Sequence, residues 1–172
     1  MDRKIVVPIA KDETGGTLFD KLAEAGAKLL VETLPHIFDG TAVYEKQPEE
    51  SPTPYAGMIT KQMGLINFGK SAEELERLVR GLNPWPSAFT FWNGKTLKVW
   101  ESFVVKSEEA GAEKSEPGTV VKTDKKGIYV ACGEDVLVLS QVQLEGKKRM
   151  DADAFLRGCH IETGSRFTDK KE

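Results

Sequence analysis

The chain has 172 residues, 40% of them hydrophobic, which is enough for one ordinary core or two small ones. Its apolar runs are broken by charges within a few residues and its start lacks a basic-then-apolar leader. Neither a membrane span nor a secretory signal is therefore read, and a cytoplasmic location is expected. Two cysteines, Cys132 and Cys159, are too few to staple a chain of this size, and with His36 and His160 they make no metal-ligand set, so no metal is expected. The net charge of −3 argues against a nucleic-acid partner over the chain as a whole. Its distribution is less simple, because acidic excess lies before Pro52 and basic clusters follow at Lys95/Lys98, Lys122/Lys125/Lys126 and Lys147/Lys148/Arg149.

In chain order, Arg3 to Ile9 has the Val/Ile content of a strand, with Pro8 placing it at an edge or an end. Thr17 with Asp20 signals a helix start, and Leu18, Leu22, Ala25, Leu29 and Leu30 lead to Leu34 and Ile37 before Gly40 closes the element. Residues 41–69 read as a stiff linker, through Lys46-Gln47-Pro48-Glu49-Glu50-Ser51-Pro52-Thr53-Pro54, with a short helical turn between Tyr55 and Met63.

Ser71 and Glu74 form a capping box, after which Ala72, Leu75, Leu78, Val79 and Leu82 recur at helical spacing and leave Glu73, Glu76, Arg77 and Arg80 largely toward water. Pro84 ends that helix, and Trp85, fixed between two prolines, suits a buried anchor or wedge. From Phe89 the period becomes two, setting Leu97, Val99, Glu101 and Phe103 against Lys98, Trp100, Ser102 and Val104. Strands are expected at 119–123, 127–132 and 135–144, with turns at Asp124–Gly127 and Gly133–Asp135 and a last helix from Asp151 to Arg157. Lys106 to Glu116 reads as a mobile loop. No Gly-rich phosphate loop, nucleophile motif or His-Asp pair is present.

Tyr55-Ala56, Ile66-Asn67-Phe68, Arg80-Gly81-Leu82-Asn83-Pro84-Trp85-Pro86-Ser87-Ala88, Gly94-Lys95-Thr96-Leu97-Lys98-Val99, Pro117-Gly118-Thr119-Val120 and Gly146-Lys147-Lys148-Arg149-Met150, in that order and spacing, resemble the methionyl-tRNA formyltransferase family. The resemblance covers nearly the whole chain but only the back half of such an enzyme. It implies an α+β chain: residues 1–40 as the strand-helix remnant of a Rossmann-like formyltransferase catalytic domain, 41–69 as linker, and 70–172 as an OB-like β-barrel with flanking helices that binds tRNA. The family's catalytic Asn, His and Asp fall before Met1, so no position inherits a catalytic role, Asp2 included, and the chain alone is expected to be inactive.

The resemblance further implies initiator methionyl-tRNA as partner and 10-formyltetrahydrofolate as co-substrate of the full enzyme, with no cofactor held by this part. A monomer is expected. Arg80, Lys95, Lys98, Lys147, Lys148 and Arg149 are the candidates for phosphate contact. A sugar-nucleotide formyltransferase tail and a free-standing RNA-binding or docking module are the alternatives.

Overall fold

A computed structural model describes residues 3–51 and 53–170, so Asp2 and Pro52 lie outside the described residues. The chain divides into two units, Met1–Met58 and Ile59–Glu172.

In the first unit, helix α1 (Gly15–Phe38) starts earlier than expected, because Thr14 and not Thr17 is the cap. The Thr17 N–H donates to the Thr14 hydroxyl at 3.1 Å and the Thr14 N–H donates to the Thr17 hydroxyl at 3.0 Å, so Thr17 is the reciprocal partner one turn in. The Asp39 N–H closes the other end on Pro35 O, and Gly40 follows at φ +75°. The strand expected from Arg3 to Ile9 does not form. A strand is held by its ladder partners, and this unit provides none among its described residues. Val6 is 87% exposed there, and α1 leaves Phe19 and Val31 at 71% and 70%.

The second unit begins in the stretch read as linker: a 3-10 turn spans Lys61–Gly64, and Ile66 and Phe68 are already core residues. Ser71 then caps α2 (Ala72–Gly81) with Glu74, and Ala72, Leu75 and Val79 form its buried stripe. The antiparallel sheet runs β1 (Ala88–Trp92), β2 (Lys95–Val105), β5 (Val136–Leu144), β4 (Gly127–Ala131), β3 (Val120–Asp124), and the short β6 (Met150–Asp151) pairs with β5. Asn93 and Gly94, at φ +47° and +69°, make the tight β1–β2 turn. Helices α2 and α4 (Ala152–Gly158) cover one face, where Phe155 meets Trp92 edge-on at 6.3 Å.

Strand-to-strand pairing does not close this sheet into the expected barrel, since β1 and β3 remain its edges. The C-terminal segment takes up part of both edges. Phe91 and Thr168 exchange backbone hydrogen bonds at 3.0 and 3.1 Å, and the Val120 N–H donates to Ser165 O at 2.8 Å. Edge groups that would otherwise template a foreign strand are thereby occupied.

Two other expectations change. Lys106 to Glu116 carries a one-turn helix, α3 (Ser107–Ala110), and Ala112 packs with Tyr129, Val136 and Val138 in a second apolar cluster on the far side of the sheet. Trp85 is not buried but 59% exposed. Both cysteines are free, and burial pushes the Cys132 thiol up to about 11.

Candidate nucleic-acid interface

The site grows from an irregularity in β2. Up to Val99 the strand alternates, with Leu97 and Val99 buried and Lys98 outward. Its register against β5 then shifts between Val99 and Glu101 and again between Glu101 and Ser102. A bulge of this kind inserts an unpaired residue and reverses the phase beyond it. Trp100 and Glu101 consequently both turn outward, while Ser102 turns inward with its hydroxyl buried and unpartnered. The simple alternation expected from the sequence, with Glu101 on the side of Leu97 and Val99, is thus broken at Trp100.

Trp100 is held by two anchors. Its Nε1–H donates to Gln143 Oε1 at 3.1 Å, and its carbonyl accepts from Asn83 Nδ2 at 3.1 Å. Gln143 is fixed in turn by donating to Lys147 O at 2.9 Å. Two cations stand over the indole so positioned: the Arg149 guanidinium at 4.8 Å from the ring centroid and the Lys98 ammonium at 5.7 Å. Each such contact contributes about 0.5–1 kcal/mol at an exposed position and restrains the side chain before any ligand arrives.

Arg149 reaches this face because β6 turns the chain back along β5, pairing Asp151 with Gln141. Its Nε donates to Gln141 Oε1, and its Nη2 forms an ion pair with Glu101 at 3.1 Å.

The remaining candidates divide. Lys95 closes the β1–β2 hairpin opposite Trp92, and the next residue, Thr96, exchanges hydrogen bonds with Glu145, through its N–H to Glu145 Oε2 at 3.0 Å and its carbonyl from the Glu145 N–H at 2.8 Å. That places Lys95 at the same end of the sheet as Lys147 and Lys148, which are exposed in the turn after β5. Arg80 belongs to another element, α2, where its Nε pairs with Glu76 at 3.0 Å.

The structure therefore brings Lys95, Lys98, Lys147, Lys148 and Arg149 to one sheet end and adds Trp100, Glu101, Gln141 and Gln143, which the residue-by-residue reading did not select. The alternation of Gln141 and Gln143 with Val142 and Leu144 was the available signal for a polar outer face on β5. Cations set on an aromatic plane, with amides between them, suit phosphate contact rather than bond-making chemistry. Among the described residues, no group of three or more His, Cys, Asp or Glu is placed to hold a metal, and no helix is long and apolar enough to cross a membrane.

The sequence that builds this fold belongs to a recognisable class. The sequence profile described as "Formyl transferase, C-terminal domain" matches residues 58–160, and the chain belongs to that family. Among individual proteins, it is 53% identical over 168 residues to a methionyl-tRNA formyltransferase of Agathobacter rectalis, covering 98% of this chain and 53% of that one. It is 46% identical over 165 residues to a methionyl-tRNA formyltransferase of Bacillus subtilis, covering 95% of this chain and 50% of that one. The chain thus spans about half the length of the curated relatives it matches. Among solved structures, a HypX variant from Aquifex aeolicus aligns with a TM-score of 0.57 at 12% identity, over 92% of this chain and 30% of that one, a likeness of fold alone.

Proposed function

We propose that this chain is the tRNA-supporting part of a methionyl-tRNA formyltransferase, an enzyme that moves the formyl group of 10-formyltetrahydrofolate onto the amino group of methionine on initiator tRNA. The names of the relatives support the enzyme class. The observation that carries the supporting role is the cation–indole cluster of Lys98, Trp100 and Arg149, with the exposed Lys147 and Lys148 in the turn after β5 and Lys95 at the start of β2. In this reading residues 70–172 form an OB-like barrel, completed at its edges by the C-terminal segment, that steadies the RNA backbone without reading its sequence. The strap in this reading is residues 41–58, because the rest of the expected linker, with Ile66 and Phe68, packs in the second unit. The apolar side chains that α1 leaves in water support residues 1–40 as a piece that packs on a catalytic body. No residue here is assigned a catalytic role, Arg80 is a peripheral phosphate contact, and the enzyme works in the cytoplasm as a monomer.

The test is binding of a transcribed initiator tRNA to the 172-residue chain over a range of salt. Each phosphate contact contributes about 0.7–0.9 to the log–log salt slope. Replacing Lys147, Lys148 and Arg149 by alanine is expected to weaken binding and flatten the slope by about two units. An unchanged affinity and slope in the triple variant removes the assignment.

A further inference from the structure

We propose that Glu101 is a built-in competitor for the phosphate site of Arg149, lowering the affinity of this face for RNA backbone in general. The inference rests on the RNA-supporting reading above and names its specificity-determining residue.

Three observations converge on it. The β2 bulge is what turns Glu101 outward beside Trp100; in a regular strand its side chain would point to the opposite face. Once outward, its carboxylate takes Arg149 Nη2 at 3.1 Å, while Gln141 takes Nε and the indole takes one face of the guanidinium. A phosphate approaching the Nη1–Nη2 fork, the edge that grips two oxygens at once, therefore meets a carboxylate already on one of those nitrogens. The ion pair is open to solvent, with side-chain exposures of 41% for Arg149 and 57% for Glu101. Such pairs are individually weak, so a multivalent phosphate ligand displaces this one while an isolated anion gains little. RNA must therefore engage the neighbouring lysines as well before Arg149 contributes, which favours a backbone shaped to this sheet end over arbitrary nucleic acid.

The test is a double-mutant cycle on the full chain, with initiator tRNA transcript as the specific probe and a single-stranded homopolymer RNA as the generic one. E101Q keeps an oxygen acceptor for Arg149 and removes the charge. It is expected to tighten homopolymer binding about fivefold, the worth of one unit charge near contact in water, to tighten tRNA binding less, and to steepen the salt slope by about one unit. In an R149A background the same change is expected to tighten homopolymer binding by less than twofold, the remainder of through-space repulsion once the contested guanidinium is gone. E116Q, which neutralises the partner of Arg166 elsewhere on this unit, leaves both affinities within twofold. Circular dichroism of each variant confirms an unchanged fold. If wild type binds and E101Q does not tighten homopolymer binding, or tightens it equally with R149A present, the competitor role is wrong and the RNA-supporting reading stands. If neither wild type nor E101Q binds either RNA at low salt, both are wrong.

Discussion

Replacing Gly133 with alanine tests how the sheet is joined to α2. Gly133 lies in the β4–β5 turn, and its N–H donates to both Phe68 O and Lys70 O at 2.9 Å. The next carbonyl, of Glu134, accepts from the Ala72 N–H at 2.9 Å, one of the donors a helix start leaves without an intrahelical partner. The turn is therefore what seats the beginning of α2. A Cβ on Gly133 would lie 2.2 Å from Gly69 O and 2.9 Å from Gly69 C, both rigid backbone atoms. Relief requires the turn to withdraw. That weakens two hydrogen-bonding groups at about 1 kcal/mol each and adds overpacking strain of about 1–3 kcal/mol, offset by about 0.4–1 kcal/mol from the stiffer unfolded chain. The expected net loss is about 2–4 kcal/mol. Urea unfolding followed by tryptophan fluorescence reads it as a lower midpoint at unchanged slope. Gly81, at the end of α2, meets nothing within 4 Å of an added Cβ, so G81A is expected to stabilise the same unit by up to about 1 kcal/mol. A G133A midpoint equivalent to less than about 0.5 kcal/mol of change, within the usual scatter of surface substitutions, refutes the docking argument.

Two further outcomes follow from local geometry. The Lys106 ammonium, at 2.7 Å, and the Ser107 N–H hold the Asp135 carboxyl below its ordinary value of 3.8. This contribution is fully present above the unfolded value and is lost as pH falls through the native one. D135N, whose side chain tolerates the φ of +62° at this position, is expected to flatten the acid limb of a stability–pH curve, and an unaltered limb contradicts the assignment. S102A removes a buried hydroxyl without a partner. It is expected to leave stability unchanged or raise it by up to about 1 kcal/mol in thermal melts, whereas a clear loss means that the phase of β2 beyond the bulge is misjudged.

What the sequence disclosed and what it concealed separate by range. The Ser71–Glu74 box, the α2 stripe and the β3–β4 turn are legible because their causes lie within a few residues. The strand at Arg3 to Ile9 has the composition of a strand, but composition does not supply a ladder partner. The shift of the first cap to Thr14 reflects two threonines competing for one role, which spacing alone does not decide. At the candidate site the cations were visible as residue types, and Lys98 and Trp100 as neighbours on one face. The Arg149–Glu101 pair spans 48 positions and depends on a bulge set by the register against β5, so no local pattern announces it. Trp85 shows the same limit from the other side, since a residue type with a tendency to burial stands in solvent.

The central claim is that RNA meets the outer face of β2 and β5. The chain has three tryptophans, giving three indole N–H resonances at distinct places: Trp100 bonded to Gln143 at the candidate face, Trp92 against Phe155 on the helix-covered side, and Trp85 exposed. Titrating initiator tRNA into the isotope-labelled chain should shift or broaden the Trp100 indole signal first, together with the side-chain amides of Gln141 and Gln143. Perturbation confined to the Lys122–Lys126 hairpin or to Trp92, with the Trp100 signal unmoved at saturation, would contradict the account.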